Sequence, residues 1–395
     1  MKNPLEGIAV LDLTRLLPGN FCTLQLADMG ADVVKIEDPF LGDYIRWMPP
    51  YYQGESAYHL MLNRNKRSVK LNLKLNEGKD LFLKLVKRVD IIIESFRPGV
   101  MDKLGLGYAK LSKIKPDLIY CAISGYGQSG PFMSRAGHDL NYIGFSGLLS
   151  KTKDTAECPV IPGIQIADLF GGGMMAVIGI LSAMIYKNKA KEGQFIDISI
   201  SDGVFTSQTI SLASVLFGRK DSVFGMDNLL SGGIVCYNVY ETSDERFITL
   251  AAIEEKFWHN FVKLIQKPEW TSHQYDPANK KDPSSIYMEL QAIFKQKTLE
   301  DWECILGSQD TCFGPVLSHN EAISHDLFNQ RGLIVEYKDS EYGSIPQVGF
   351  PIKFSKSSCK IRMRAPKFGE HTMEVLSDVG LTKELFDLYS KAQIV

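Results

Sequence analysis

Cysteine is scarce and scattered in this sequence: seven residues among 395, odd in number, with no C-x-x-C pair. That pattern argues against a zinc ribbon, a redox dithiol or the framework of a secreted disulfide scaffold. Reduced thiols and a cytoplasmic location are expected. Neither sign of charge dominates, with 44 Lys+Arg against 46 Asp+Glu and a net charge of −2. Nucleic-acid binding calls for a domain-wide basic excess, so nucleic acid is not an expected partner. Long apolar runs are missing as well. The apolar stretch from Gly171 to Tyr186 is uncharged and opens with three glycines. It falls short of the roughly 18–20 residues that span a bilayer, and a buried helix is expected there with no membrane association. The opening Met1-Lys-Asn-Pro-Leu-Glu-Gly7 has no apolar core of a secretory signal.

What is present is a rhythm. Ile8–Leu13, Asp32–Ile36, Asp90–Glu94 and Leu118–Ile123 are short β-branched or apolar runs, separated by helical patterns at Phe21–Met29, Glu77–Arg88 and Tyr108–Lys115. Alternation of this kind predicts an α/β fold with a doubly wound parallel sheet whose strands are buried on both faces. Near residues 220–245 the texture becomes richer in glycine and polar residues, which predicts a smaller second domain. Expected there are a strand at Phe247–Ile253, a helix from Glu254 and a capping-box helix start at Thr298-Leu-Glu-Asp301. Leu333–Tyr337 and Phe350–Phe354 read as strands and the tail as helical.

Several segments carry chemistry. The first strand–helix–strand unit ends at Glu37, but the loop Leu17-Pro-Gly-Asn20 lacks the G-x-G-x-x-G spacing that a dinucleotide pyrophosphate requires, so NAD is not expected. Between Leu60 and Asp90 nine basic residues face three acids, a local excess able to hold a phosphorylated ligand. Arg97 follows a strand end, where ligands of open α/β sheets gather. Ser124-Gly-Tyr-Gly-Gln-Ser-Gly-Pro131 is a glycine-rich loop that permits close backbone approach, and it leads to His138 at a loop-to-helix junction beside Asp139 and Asn141. Asp168 precedes the Gly171-Gly-Gly173 helix, and Glu254 closes a second-domain strand. One imidazole and two carboxylates at element ends can serve as a set of bases if the fold brings them together.

These segments resemble a known family over nearly the whole chain. Leu5–Glu37, Asn63–Val69, Phe96–Gly107, Cys312–Val316 and Ala365–Thr372 are similar to the class III CoA-transferase superfamily. Gly137-His-Asp-Leu-Asn-Tyr142, Ala167-Asp-Leu-Phe-Gly-Gly-Gly173 and Ala252-Ile-Glu254 resemble its α-methylacyl-CoA racemase branch. The resemblance implies a large Rossmann-like CoA-binding domain built from both chain ends (1–220 and 333–395), a small α+β domain (221–332), and an interlocked homodimer. It implies that His138 and Asp168 are the acid/base pair, with Glu254 supporting the imidazole. Arg64, Lys66, Arg67 and Arg97 would contact the CoA, and Gly137, Asp139, Leu140, Asn141 and Tyr142 would line the substrate. No metal or resident cofactor is implied, because CoA enters as part of the acyl-CoA thioester. Two positions depart from the family pattern: Asp38, where a basic residue is frequent, and Asn20, where the loop commonly reads Pro-Gly-Pro.

The implied reaction is epimerisation of a 2-methylacyl-CoA at its α-carbon by two-base proton transfer through an enolate. Its alternative is CoA transfer between an acyl-CoA and a free carboxylic acid, with Asp168 forming an anhydride and then a thioester. A histidine base has a task in the first route and none evident in the second.

Overall fold

The computed structural model of the chain describes residues 2–154, 156, 158–217 and 229–395. Two compact units emerge, one of Met1–Ser207 with Asn329–Val395 and one of Gln208–Phe328. The boundary expected at 220/221 lies outside the described residues. The helix Thr209–Leu216, assigned above to the first stretch of the large domain, belongs to the second unit.

The first unit is organised by six strands, β1 (Ala9–Leu13), β2 (Asp32–Glu37), β3 (Lys66–Lys70), β4 (Ile91–Glu94), β5 (Ile119–Ser124) and β6 (Gln194–Ser199), in the order β3-β2-β1-β4-β5-β6. Every pairing is parallel. This is the strand order of a doubly wound nucleotide-binding sheet, whose direction of winding reverses between β1 and β4. Strand β4 illustrates why such strands are apolar throughout: Ile91 and Ile93 enter the core on one face and Ile92 the core on the other.

Helices α1 (Leu16–Asp28), α2 (Asn76–Val86), α3 (Tyr108–Ile114), α4 (Asp139–Phe145), α5 (Met175–Ala190) and α6 (Ile200–Ser207) complete the layers. Leu81, Phe82 and Leu85 of α2 pack with Val34, Val69 and Tyr120 on one face, and Cys22 and Leu26 of α1 pack with Val10, Val33 and Ile180 on the other. The tail returns to this unit: Asn72 donates its backbone N–H to the Ile394 carbonyl at 2.8 Å.

Sequence and structure part in several places, among them the edge strand Gln194–Ser199, which the sequence reading does not include. Strand β3 lies inside the basic segment, where charge masks its alternation; Ser68 and Val69 are buried there. Phe350–Phe354 forms no strand. Ile334–Asp339 pairs instead with Gly343–Val348, an antiparallel ribbon in which Ile345 and Gln347 are buried. The apolar stretch at Gly171–Tyr186 is part of one continuous helix, Ala167–Ala190, long and apolar enough to cross a membrane by length and composition. It is buried on one face only: Ala176, Val177, Ile180 and Ala183 are inside, whereas Ile178 and Ile185 are exposed.

The second unit is an antiparallel sheet of β7 (Tyr237–Glu241), β8 (Phe247–Ala251) and β9 (Phe313–Pro315), with β8 central. Trp258, Phe261, Phe294 and Trp302 fill its core. The expected capping box is present, with Thr298 accepting from the Asp301 N–H and Asp301 accepting from the Thr298 N–H.

Candidate active site

The site grows out of the loop that leaves β5. Gly125 and Gly137 flank the ring of Tyr142, so closely that an added Cβ would stand 2.5 and 2.7 Å from its atoms. The two glycines form a slot that only a residue without a side chain permits. Seated in it, the Tyr142 hydroxyl donates to the Gly137 carbonyl at 2.6 Å, which braces the backbone immediately before His138.

His138 is the N-cap of α4, in extended conformation, and its backbone N–H donates to Asn141 Oδ1 at 3.1 Å. Its side chain is exposed, as is Leu140. Asp139, in the first turn of α4, reaches across the chain: its Oδ1 accepts from the backbone N–H of Asp168 at 3.0 Å. This bond joins the His138 junction to the Asp168 junction, which are remote in sequence.

Asp168 opens a π-helical stretch, Ala167–Met174, that runs directly into α5. The three glycines after it are packing positions. An added Cβ on Gly171 would stand 2.6 Å from the Ile200 carbonyl of α6, and one on Gly173 would stand 3.0 Å from the Pro18 carbonyl of α1. Half-buried, the Asp168 carboxyl is pushed up to about 7 by desolvation first and by the nearby Asp139 charge second. Burial, followed by the Asp168 charge, raises the Tyr142 phenol to about 12, so it remains a neutral donor. Asp168, Asp139 and Tyr142 are therefore electrostatically coupled neighbours.

Glu254 belongs to the second unit. It is the exposed N-cap of the helix Glu255–Leu264, and its backbone carbonyl accepts from Phe257 and Trp258.

The basic residues separate into two groups. Arg64 is buried and bidentate on Asp28, with Nη1 donating to Gln347. Lys66 is fully buried between Asp12, Asn63 and the Asn20 carbonyl, and Arg67 holds Asp32 and Glu374. The resemblance implies CoA contacts for these three; in the structure their charges are matched inside the unit by Asp28, Asp12, Asp32 and Glu374. Lys74 and Arg97 are exposed and make no ion pair among the described residues.

A cleft of about 480 Å³ opens at the carboxyl ends of β1, β2 and β4. Leu13, Arg15, Tyr44, Lys74 and Phe96 are among its walls. The Arg15 guanidinium lies over both the Tyr44 and Phe96 rings, at 5.4 and 5.5 Å from their centroids. Arg15 and Lys74 were not singled out from sequence, although each follows a strand end closely enough for that rule to have found it. Glu37, the one hint of a ribose-binding acid, is instead bound to Arg46 and Ser68. Among the described residues, no group of three or more His, Cys, Asp or Glu could hold a metal ion.

Comparison with known proteins agrees with this architecture. The model of CoA-transferase family III matches residues 5–372. The chain is 34% identical to human alpha-methylacyl-CoA racemase over 393 residues, covering 96% of this chain and 94% of the relative. It is 33% identical to mouse succinyl-CoA:glutarate CoA-transferase over 383 residues, covering 95% and 86% respectively. A crystal structure of a CAIB/BAIF family protein from Brucella suis superposes with a TM-score of 0.82 at 29% identity, covering 96% of this chain and all of that one. The chain is thus an enzyme of the class III CoA-transferase family.

Proposed function

We propose that this enzyme epimerises 2-methylacyl-CoA thioesters at the α-carbon. The observation that carries the reading is Asp168: Asp139, beside His138, holds its backbone N–H, and burial with the Asp139 charge pushes its carboxyl up to about 7. A general acid–base group works best with its pKa close to the working pH, and at neutrality this carboxyl is available in both forms.

In the proposed reaction one base removes the α-proton from one face and the C–H electron pair moves into the thioester as an enolate. The other residue, protonated, then delivers its proton to the opposite face, and the enolate pair returns to carbon. His138 serves one face and Asp168 the other; substrate hand decides which acts first. Each turnover exchanges the protonation states of the two groups, which afterwards re-equilibrate with solvent. Gly137, Leu140, Asn141 and Tyr142 are proposed to line the acyl part.

The CoA moiety is proposed for the cleft at the β1, β2 and β4 ends, with Arg15, Lys74 and Arg97 facing its phosphates and adenine end. Arg64, Lys66 and Arg67 then act as scaffold. We also propose a homodimer, supported by the exposed apolar residues of α5 and of the helix Thr209–Leu216.

A transferase reading draws support from relatives of equal similarity. One assay separates the two. One epimer of a 2-methylacyl-CoA is incubated with and without a free dicarboxylic acid, and acyl-CoA products are resolved by chiral chromatography and mass. An equal mixture of epimers formed without acceptor is expected. Intact configuration with a new, acceptor-derived CoA ester would make the enzyme a transferase.

A further inference from the structure

We infer that Asn20 is a positioning residue that shapes the ligand cleft, holding its wall through a buried clamp on Asp43; the ligand half of this inference rests on the CoA reading above. The wall in question is the segment after β2, where Asp38, Phe40, Leu41, Gly42 and Tyr44 line the cleft. Between Leu41 and Tyr44, its attachment to the sheet is Asp43, nearly fully buried. Asp43 Oδ1 accepts from the backbone N–H of Leu16 at 3.0 Å and of Ile45 at 3.1 Å, and the Asp43 N–H donates to Glu37 Oε2 at 3.0 Å. These bonds fix the 3-10 turn Tyr44–Trp47 and the β1-to-α1 turn, in which Leu16 takes a left-handed φ of 60°.

Asn20, fully buried on α1, restrains the other carboxylate oxygen together with Lys35. Its Nδ2 donates to Asp43 Oδ2 at 2.6 Å while its Oδ1 accepts from Lys35 Nζ at 2.7 Å. The amide presents a donor to the carboxylate and an acceptor to the ammonium group from two separate atoms, so both bonds form at once. Burial opposes ionisation of Asp43, yet the Lys35 charge and the Asn20 amide hold its carboxyl well below the usual range. Tyr44, next in sequence to Asp43, then meets Arg15 Nη1 at 3.3 Å through its hydroxyl, so the clamp is transmitted to the mouth of the cleft.

Asn20→Ala leaves no stranded charge, because Lys35 still meets Asp43 directly at 3.0 Å, and the variant is expected to fold. Hydrogen exchange and steady-state kinetics test the inference together. In Asn20→Ala the amides of Leu16, Asp43 and Ile45 should exchange about tenfold faster with the core strands unchanged. KM for the acyl-CoA should rise about fivefold, and CoA dissociation should weaken in parallel, with kcat held within about twofold. Asn20→Asp, which sets a second carboxylate against Asp43, should loosen the same amides further. Wild-type exchange and KM in Asn20→Ala, or a fall in kcat at constant KM, overturns the inference while CoA binding by the unaltered protein upholds the cleft reading. An unaltered protein that binds no CoA overturns both.

Discussion

A free aspartic acid, with a pKa of about 3.9, is ionised at pH 7 in all but roughly one molecule in a thousand. Asp168 escapes that limit because it is half-buried and sits beside Asp139. Replacing Asp139 by Asn removes the like charge but not the desolvation, which is the larger cause. The Asp168 limb of the pH–rate profile should therefore move to lower pH and remain above the ordinary carboxylate range; an unmoved limb would show that Asp139 acts only through its hydrogen bond. The same raised value has a consequence for stability. The protonated form is favoured in the folded state, so stability is fully present below the unfolded value of 3.8 and lost as pH rises through about 7. Asp168→Asn should thus raise the melting temperature more at pH 8 than at pH 5. Loss of either acid–base group should lower turnover by about 10²–10⁴-fold, so His138→Ala and Asp168→Ala are both expected to be nearly inactive yet folded, by circular dichroism. Residue type and junction setting make His138 and Asp168 candidates, and their acid–base roles follow from the family resemblance. The basic segment gave charge but not partners: nothing in the spacing of Arg64 and Lys66 reveals Asp28 and Asp12 waiting on neighbouring elements.

Elements are joined around the site through glycine. Gly203 of α6 lies against the Gly171 carbonyl, and Gly171 lies against the Ile200 carbonyl, so each helix contacts the other's backbone rather than its side chains. Backbone cannot step aside as a flexible side chain can, and overpacking of this kind costs about 1–3 kcal/mol or more. Gly203→Ala should therefore lower the urea midpoint markedly and, by displacing the π-helix, reduce activity. Gly130→Ala, where nothing stands within 4 Å, is the control for added volume, with only its left-handed φ of 86° to strain it. The glycine run after Asp168 announced tight packing in the sequence, but its π-helical register did not show, because helix pitch is set by what the glycines meet. The ribbon at Gly343–Val348 was likewise hidden: Pro346 reads as a breaker, whereas Phe350-Pro-Ile-Lys-Phe354 imitates alternation without a partner strand.

At the scale of the molecule, the alternation of strands and helices makes the parallel sheet legible in the sequence, whereas the return of the tail follows from family resemblance and not from periodicity. Surface composition carries a further message. Leu216 and Phe217 are 75% and 86% exposed in the second unit, and Ile178 and Ile185 are 52% and 60% exposed in the first. Single apolar residues at a surface are ordinary, but rows of them along helices suit a large obligate interface of some 2,000 Å² or more. Light scattering coupled to size exclusion should give twice the chain mass of 44.2 kDa, and a species of 44.2 kDa at micromolar concentration would contradict the proposed homodimer.

The central claim is proton transfer at carbon by two residues of this chain, and deuterium reads it directly. One epimer of a 2-methylacyl-CoA is mixed with enzyme in deuterated water without any acid acceptor, and the α-position is followed by NMR. The account predicts that the opposite epimer forms with deuterium at the α-carbon from the first turnovers, and that Asp168→Asn abolishes the signal. An α-proton that never exchanges, while added carboxylic acid acquires CoA, would contradict it.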